Sequence, residues 1–338
     1  MTKTEHLSQV IPDELGGKRL DQALAAMFPD YSRARLQRWI KDGHVTVDGS
    51  QLRPKDQIRG GEQVELSVVL EEETSWRPQK LPLDIVYEDE AVIVINKPAG
   101  VVVHPGAGNM DGTLSNALLH YAPELESVPR AGIVHRIDKD TSGLLMIART
   151  LVAQKSLAEQ LQARTVEREY WALSQGVMTA GGTVDAPIGR HPVNRTRQAV
   201  VENRVILNGE ADSEYIGRAA RNAKEAITHY RVLEKFRAHT YVKVKLETGR
   251  THQIRVHMAY INYPLVGDSV YGGRMRIPPK VTPELDAALR GFRRQALHAA
   301  RLGFVHPKTG ESVEWQAPLP EDMEKLIETC RQDTRANK

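Results

Sequence analysis

Cysteine is almost missing from this chain: Cys330 is the only one in 338 residues. One thiol cannot form an intrachain disulfide framework or build a cysteine-based zinc site, and its isolation fits a reducing compartment. Long apolar runs are missing as well. The first residues, M-T-K-T-E-H-L-S-Q, lack the apolar centre of a signal peptide, and no segment approaches the length of a membrane span. A cytoplasmic protein without membrane contact is the expectation. Aromatic residues are few, at 5%, and neither sign of charge is in large excess, with a net of +3 and a pI of about 8.8. That surplus is too small to establish an anionic partner, so the placing of the basic residues must be read along the chain. What is present is ordinary for a globular protein: 41% hydrophobic and 26% charged residues, over a length sufficient for two domains, one with a sizeable core.

Residues 1–16 are polar and read as a flexible N-terminus. Leu20, Ala23, Leu24 and Met27 then keep helical spacing. A second helix is predicted from Ser32, its N-cap, to Lys41, with Leu36, Trp39 and Ile40 inward and Gly43 ending it. Arg33, Arg35, Arg38 and Lys41 place four cations within nine positions of that helix. Short strands follow at His44–Val47, before the turn Asp48-Gly49, and at Gln63–Val68. These parts form a unit over 17–75. An aperiodic stretch from Glu71 to Pro78 marks a linker, placed at 76–82.

The remainder, 83–330, is dominated by strands: Leu83–Tyr87, Ala91–Asn96, Val101–Val103, Gly132–Val134, Leu144–Ala148, Arg168–Leu173, Thr228–Leu233, Tyr241–Leu246, Leu297–Phe304 and Ser312–Trp315. Helices are expected at Thr113–Tyr121, Ala153–Arg164, from an N-cap at Thr251 onward, and at 320–331. A basic loop spans Ile188–Arg197, a polar irregular stretch 202–224, a proline-rich surface excursion 272–290, and a C-terminal tail 331–338. Strands and helices do not alternate regularly. An α+β fold with a mixed, mostly antiparallel sheet is therefore expected, rather than a doubly wound one.

Within that frame the segment V-H-R-I-D-K-D-T-S-G-L-L, Val134–Leu145, carries too much chemistry for a connector. It sets two carboxylates, three basic groups and two hydroxyls between apolar runs. A plain connecting turn would be short and rich in Gly, Asn or Pro. Asp138 or Asp140 is the candidate reactive group. Metal binding is disfavoured: His252 and His257 diverge on a helix, and Arg136 and Lys139 compete for the carboxylates. No G-x-S-x-G turn supports serine chemistry, and Gly106–Gly112 does not have dinucleotide-loop spacing. An ionised carboxylate with a cationic partner could act at a glycosidic carbon as nucleophile or base, without cofactor or metal.

The order of parts in the first unit, from Arg19-Leu20-Asp21 through Ser32-Arg33 and Ile40–Gly49 to Gly60–Val64, resembles the S4 RNA-binding module. His135–Leu145 is similar to the H-R-L-D-x-x-T-S-G-L-L signature of the RluA-type pseudouridine synthases, with Ile137 in place of the usual Leu. Tyr87–Glu90, Asn96–Gly100, Arg168–Tyr170 and Leu246–His257 match that family in order. Coverage runs from about residue 17 to 330, and only the stretch 202–224 is longer than the family pattern. Val103–Gly108, Thr183–Ile188, Arg190–Pro192 and Val266–Gly273 look most like the branch acting on large-subunit ribosomal RNA.

The resemblance implies an N-terminal S4-like domain followed by a pseudouridine synthase catalytic domain. It implies isomerisation of uridine in 23S rRNA, free or in the assembling large subunit, by a monomer. Asp138 would act on a flipped-out nucleotide, Tyr170 would lie against the base with its hydroxyl assisting proton removal, and Arg255 would pair with Asp138. Lys97, His104, Arg136, Thr141 and Arg250 would shape the pocket or touch RNA, and Arg33, Arg35, Arg38 and Lys41 would lie on the RNA backbone. The competing expectation is an RNA-binding or ribosome-assembly factor that keeps the fold without turnover.

Overall fold

The computed structural model describes residues 3–28, 31, 33–70, 77–106, 109–191, 193–194, 197–201 and 223–337. The Ser32 cap, the stretch 71–76, Arg195 and residues 202–222 of the irregular stretch lie outside these, as does the side chain of Arg35. The chain divides into two compact units, Met1–Ser75 and Trp76–Lys338. No helix of the described residues is long and apolar enough to cross a membrane.

The first unit orders β1 (Lys3–Val10), α1 (Leu20–Met27), α2 (Arg33–Lys41), β2 (Val45–Val47) and β3 (Gln63–Leu70). Helical spacing does its work here. Leu20, Ala23 and Leu24 of α1 and Leu36, Trp39 and Ile40 of α2 bury against Val45, Val47, Val64 and Leu66. The expected flexible N-terminus needs correction. Residues 3–10 pair antiparallel with β3 along its whole length, from Lys3↔Leu70 to Val10↔Gln63. Composition hid this strand because its side chains from His6 to Val10 are exposed or half-buried, so the backbone ladder holds it rather than the core.

The second unit contains β4 (Ile85–Glu88), β5 (Val92–Lys97), α3 (Leu114–Tyr121), β6 (Ser142–Ala148), α4 (Leu151–Gln162), β7 (Glu167–Gln175), β8 (Gly182–Asp185), β9 (Ile188–Arg190), β10 (Gln198–Val200), β11 (Ile227–Lys235), β12 (His239–Leu246), α5 (Gln253–Tyr260), α6 (Pro283–Gly291), β13 (Leu297–Val305), β14 (Ser312–Gln316) and α7 (Glu321–Ala336). Nine of the strands make one sheet in the order β4-β5-β6-β13-β7-β12-β11-β8, with β14 also on β13. Only β6 and β13 run parallel; every other pair is antiparallel. The fold is thus α+β with a mixed, mostly antiparallel sheet. β6 is buried along its whole length, and the parallel seam depends on Gly143. With φ +115, a Cβ there would sit 2.2 Å from the Ala299 carbonyl oxygen.

Several expectations for this unit fail for physical reasons. Val101–Val103 is not a strand, because the Val102 and Val103 carbonyls accept from Leu114 and Ser115 at the start of α3. Gly132–Val134 is not one either: Arg130, Ala131 and Gly132 turn through φ of 58°, 51° and 73°, leaving Ile133 a single bridge to Ile147. Part of the proline-rich excursion is the helix α6, with Pro283 in its first turn and Leu285 and Leu289 buried. The basic loop at 188–197 begins with the strand β9, which pairs antiparallel with β10 just beyond the loop. The tail from 331 is mostly helix, since α7 continues to Ala336. Asp333 is buried there, accepting from Arg237 and the Thr282 amide. The linker residues 77–79 are tied to α3, where Asn116 donates to the Arg77 carbonyl and accepts, at its own carbonyl, the Gln79 amide.

Candidate active site

A cleft of about 560 Å³ opens where the segment before β6, the start of β7 and the turn into α5 meet. Asp138, Tyr170 and Arg255 all line it, together with His104, Arg136, Thr141 and Arg250. The helix α5 is positioned by its own polar residues. Gln253 and His257, one turn apart, bond to Thr228 on β11 at 3.0 and 2.8 Å, while Ile254 and Met258 join the core. That orientation turns Arg255 toward Asp138. The start of α5 is not capped by Thr251: His252 holds the cap position with φ 57°, and the Gln253 side chain accepts from the Arg250 amide and the Thr248 hydroxyl.

Arg255 Nη1 donates to Asp138 Oδ2 at 2.9 Å. Its other face is clamped by Asp268, with Nε to Oδ2 at 2.7 Å and Nη2 to Oδ1 at 2.9 Å. Asp268 also accepts the amides of Val270 and Tyr271 at 2.9 Å and is fully buried. Burial opposes the Arg255 charge, but the bonds and charges of Asp268 and Asp138 outweigh it and raise its pKa. Burial likewise pushes the Asp268 carboxyl up, and Arg255 with the two amides more than reverses that, leaving it lowered. One carboxylate is thus consumed in holding the arginine. The other, Asp138, keeps 17% of its side chain open to the cleft.

His252 Nε2 lies 3.8 Å from Asp138 Oδ1, and its Nδ1 meets the Tyr271 hydroxyl at 2.8 Å. Burial lowers the His252 pKa against the pull of Asp138. Burial lowers that of His104 to about 4 and that of His135 to about 3. His135 Nε2 accepts the Met146 amide at 3.2 Å, which requires the neutral ring. With the histidines uncharged near neutral pH, the positive charge of the cleft comes from Arg130, Arg136, Arg168, Arg250 and Arg255, against Asp138 as the one lining carboxylate among the described residues. Tyr170 is buried in β7, and burial raises its pKa.

Residues 91–260 match the family model described as RNA pseudouridylate synthase, and residues 18–64 match that of the S4 domain. The chain is 55% identical to the ribosomal large subunit pseudouridine synthase D of Pseudomonas aeruginosa, covering 96% of each chain. It belongs to the RNA pseudouridine synthase family. The enzyme of the same name from Escherichia coli K12 is 52% identical over 100% of this chain and 98% of that one. The solved structure of human RNA pseudouridylate synthase domain containing 4 superposes with a TM-score of 0.58. It is 26% identical over 73% of this chain and 93% of that one.

Not every cation expected at RNA is available to it in this synthase. Lys97 is 1% exposed and does not line the cleft; its Nζ donates to the carbonyls of Pro98, Val101 and Lys139 at 2.7, 2.9 and 2.9 Å. Burial pushes its pKa down to about 7, with Asp140 and Asp138 pulling the other way. It therefore fastens the loop after β5 to the turn that carries Asp138, and the expectation of an RNA contact is corrected. Thr141 is a turn support: its amide donates to the Asp138 carbonyl and its hydroxyl accepts from Gln295. In the first unit, Arg33 is bound to the buried Asp21 at 2.7 Å, Arg38 lies 3.5 Å from Asp42, and Lys41 is exposed. Asp268 and Tyr271 were not singled out as site residues from sequence, although both lie in Val266–Gly273, a stretch that carries the family resemblance.

Proposed function

We propose that this synthase converts uridine to pseudouridine in large-subunit ribosomal RNA, in the cytoplasm, with Asp138 as the group that starts the reaction. The observation carrying this reading is the Asp138–Arg255–Asp268 chain in a cleft whose charged lining is otherwise arginine. The glycosidic bond of a stacked uridine is out of reach, so the nucleotide must leave the stack, at a cost of about a few kcal/mol. Arginines along the cleft can offset that through phosphate contacts. Arg255 then holds the Asp138 carboxylate in place and aimed at the nucleotide. The bond from C1′ to N1 breaks, the uracil turns, and C1′ joins C5; the proton leaving C5 is balanced by one gained at N1. The reaction is an isomerisation and needs no redox partner. Tyr170 offers its ring to the base, and its phenol, kept protonated by burial, serves as a hydrogen-bond donor. The S4 unit supplies further backbone affinity through exposed cations such as Arg38 and Lys41.

The test is to map pseudouridine in a 23S rRNA transcript by chemical adduct and primer stops. Wild type is expected to modify defined uridines, and Asp138→Asn to bind the RNA without modifying it. A transcript left unmodified by wild type would favour a non-catalytic assembly factor, and an active Asp138→Asn would remove Asp138 from the chemistry.

A further inference from the structure

Arg168 lies two residues before Tyr170 on β7, so both side chains take the same face of the sheet, and both line the cleft. Its guanidinium is poorly satisfied for a group so enclosed. Among the described residues no carboxylate pairs with it. Nη2 reaches the Glu247 carbonyl at 3.3 Å, and Nε is buried with no acceptor. A natural protein rarely leaves a buried donor on a cation without a partner, because the desolvated group is costly unless a ligand completes it. The chain also makes room for this guanidinium. Gly249 faces it, and a Cβ there would stand 2.6 Å from Nη1. Burial lowers the Arg168 pKa, and no carboxylate acts to restore it. The fork is thus a desolvated, unneutralised donor set at the wall of a cleft built for a polyanion.

We propose that Arg168 is a substrate-binding residue whose guanidinium takes a phosphodiester oxygen of the RNA at or beside the flipped uridine. A phosphate fits the fork better than a uracil carbonyl. It offers a full charge and two oxygens to a planar donor pair, and charge-assisted bonds of that kind are about twice as strong as neutral ones. The contact fixes the sugar-phosphate next to the ring of Tyr170, so the base is presented to Asp138 from a held backbone. This assignment rests on reading the Asp138 cleft as the uridine site.

The experiment uses the full chain and a 23S rRNA stem-loop carrying a uridine that wild type converts, with single phosphates around it replaced by neutral methylphosphonates. Arg168→Gln is expected to raise KM about tenfold or more with kcat nearly unchanged. The slope of log(kcat/KM) against log[KCl] should flatten by about 0.7–0.9, one phosphate's worth. One neutral linkage should weaken wild type and leave Arg168→Gln unaffected, and Arg168→Lys should recover part of the loss. A fall in kcat with unchanged KM and salt slope, or a linkage scan identical to wild type, overturns the proposal. If Arg168→Gln does not fold, Arg168→Lys and Gly249→Ala, which displaces the guanidinium without removing its charge, decide by the same scan. A linkage to which Gly249→Ala has lost sensitivity and Arg168→Lys keeps only part of it supports the contact, and wild-type responses in both overturn it. An active Asp138→Asn would sink the reading of the cleft itself. An inactive Asp138→Asn beside an Arg168→Gln equal to wild type removes only the role of Arg168.

Discussion

Replacing Asp268 by Asn tests whether the site is held by the arrangement described. Asp268 accepts four bonds, two from Arg255 and two from the Val270 and Tyr271 amides. Asparagine keeps the shape and the Oδ1 oxygen, which still accepts the two amides and Arg255 Nη2, but its NH₂ group then faces Arg255 Nε donor to donor. Arg255, with 6% of its side chain exposed, then loses its Nε bond and the negative charge that balanced it from that side. Removing one partner of a buried pair costs about 3–5 kcal/mol, and about 2–4 °C of melting temperature per kcal/mol in a unit of this size gives a fall of about 6–20 °C. Arg255 would also turn its freed donor onto Asp138 and pull the carboxylate out of place. A displacement of about 1 Å can cost on the order of a hundredfold in rate, so kcat should fall about ten- to a hundredfold. KM should hold, because Asp268 does not line the cleft. Calorimetry and a single-turnover assay on the rRNA stem-loop read both effects. A melting temperature within about a degree of wild type, with kcat within about twofold, would refute the reasoning, since neither loss predicted for a broken buried pair would be present.

Three further outcomes follow from the same structure. Gly143→Ala should prevent folding, because its Cβ would sit 2.2 Å from the Ala299 oxygen at a φ of +115; soluble protein with native circular dichroism would contradict this. Lys97→Met leaves three buried carbonyls without their donor, at about 1–3 kcal/mol each, so stability should drop while the folded protein's RNA affinity is unchanged. Lost affinity at full stability would restore Lys97 as an RNA contact. Burial holds the pKa of His135 at about 3 and those of His104, His239 and His298 at about 4. Between the unfolded value of about 6.5 and these values the unfolded chain takes up protons that the fold refuses, so stability falls as pH falls, by up to about 1.4 kcal/mol per unit per histidine. The urea midpoint should decline between pH 6.5 and about 4, less steeply in His135→Gln; a flat midpoint over that window would be inconsistent with four neutral buried rings.

Periodicity made much of the scaffold readable. Leu36, Trp39 and Ile40 announce the inner face of α2, and the unbroken run Leu144–Ala148 announces a strand buried on both faces. The charged turn before it stood out because no connector needs two carboxylates there. Features set by distant partners were not readable. Lys97 looks like any surface lysine until Pro98, Val101 and Lys139 enclose it. The role of Asp268 comes from an arginine thirteen residues earlier, on a helix whose facing is fixed by Thr228, and no reading of its own stretch Val266–Gly273 supplies that partner. β1 escaped notice because its ladder needs no apolar side chains, and the turn at Arg130–Gly132 because three successive left-handed residues leave no mark in composition.

The place of β13 bears on how the molecule is made. It lies between β6 and β7, so it alone joins β4-β5-β6 to β7-β12-β11-β8. Asp138 leads into β6 and Tyr170 sits on β7. During translation the chain completes every strand except β14 before it reaches residues 297–305. Until then the nascent catalytic unit is two smaller sheets, each with an open edge, and the two sides of the cleft lack the backbone ladder that joins them into one sheet. Catalytic competence therefore comes at the end of synthesis, in one closing step. A ribosome stalled shortly before that point would carry a chain with two exposed edges and no site, the form most in need of a chaperone.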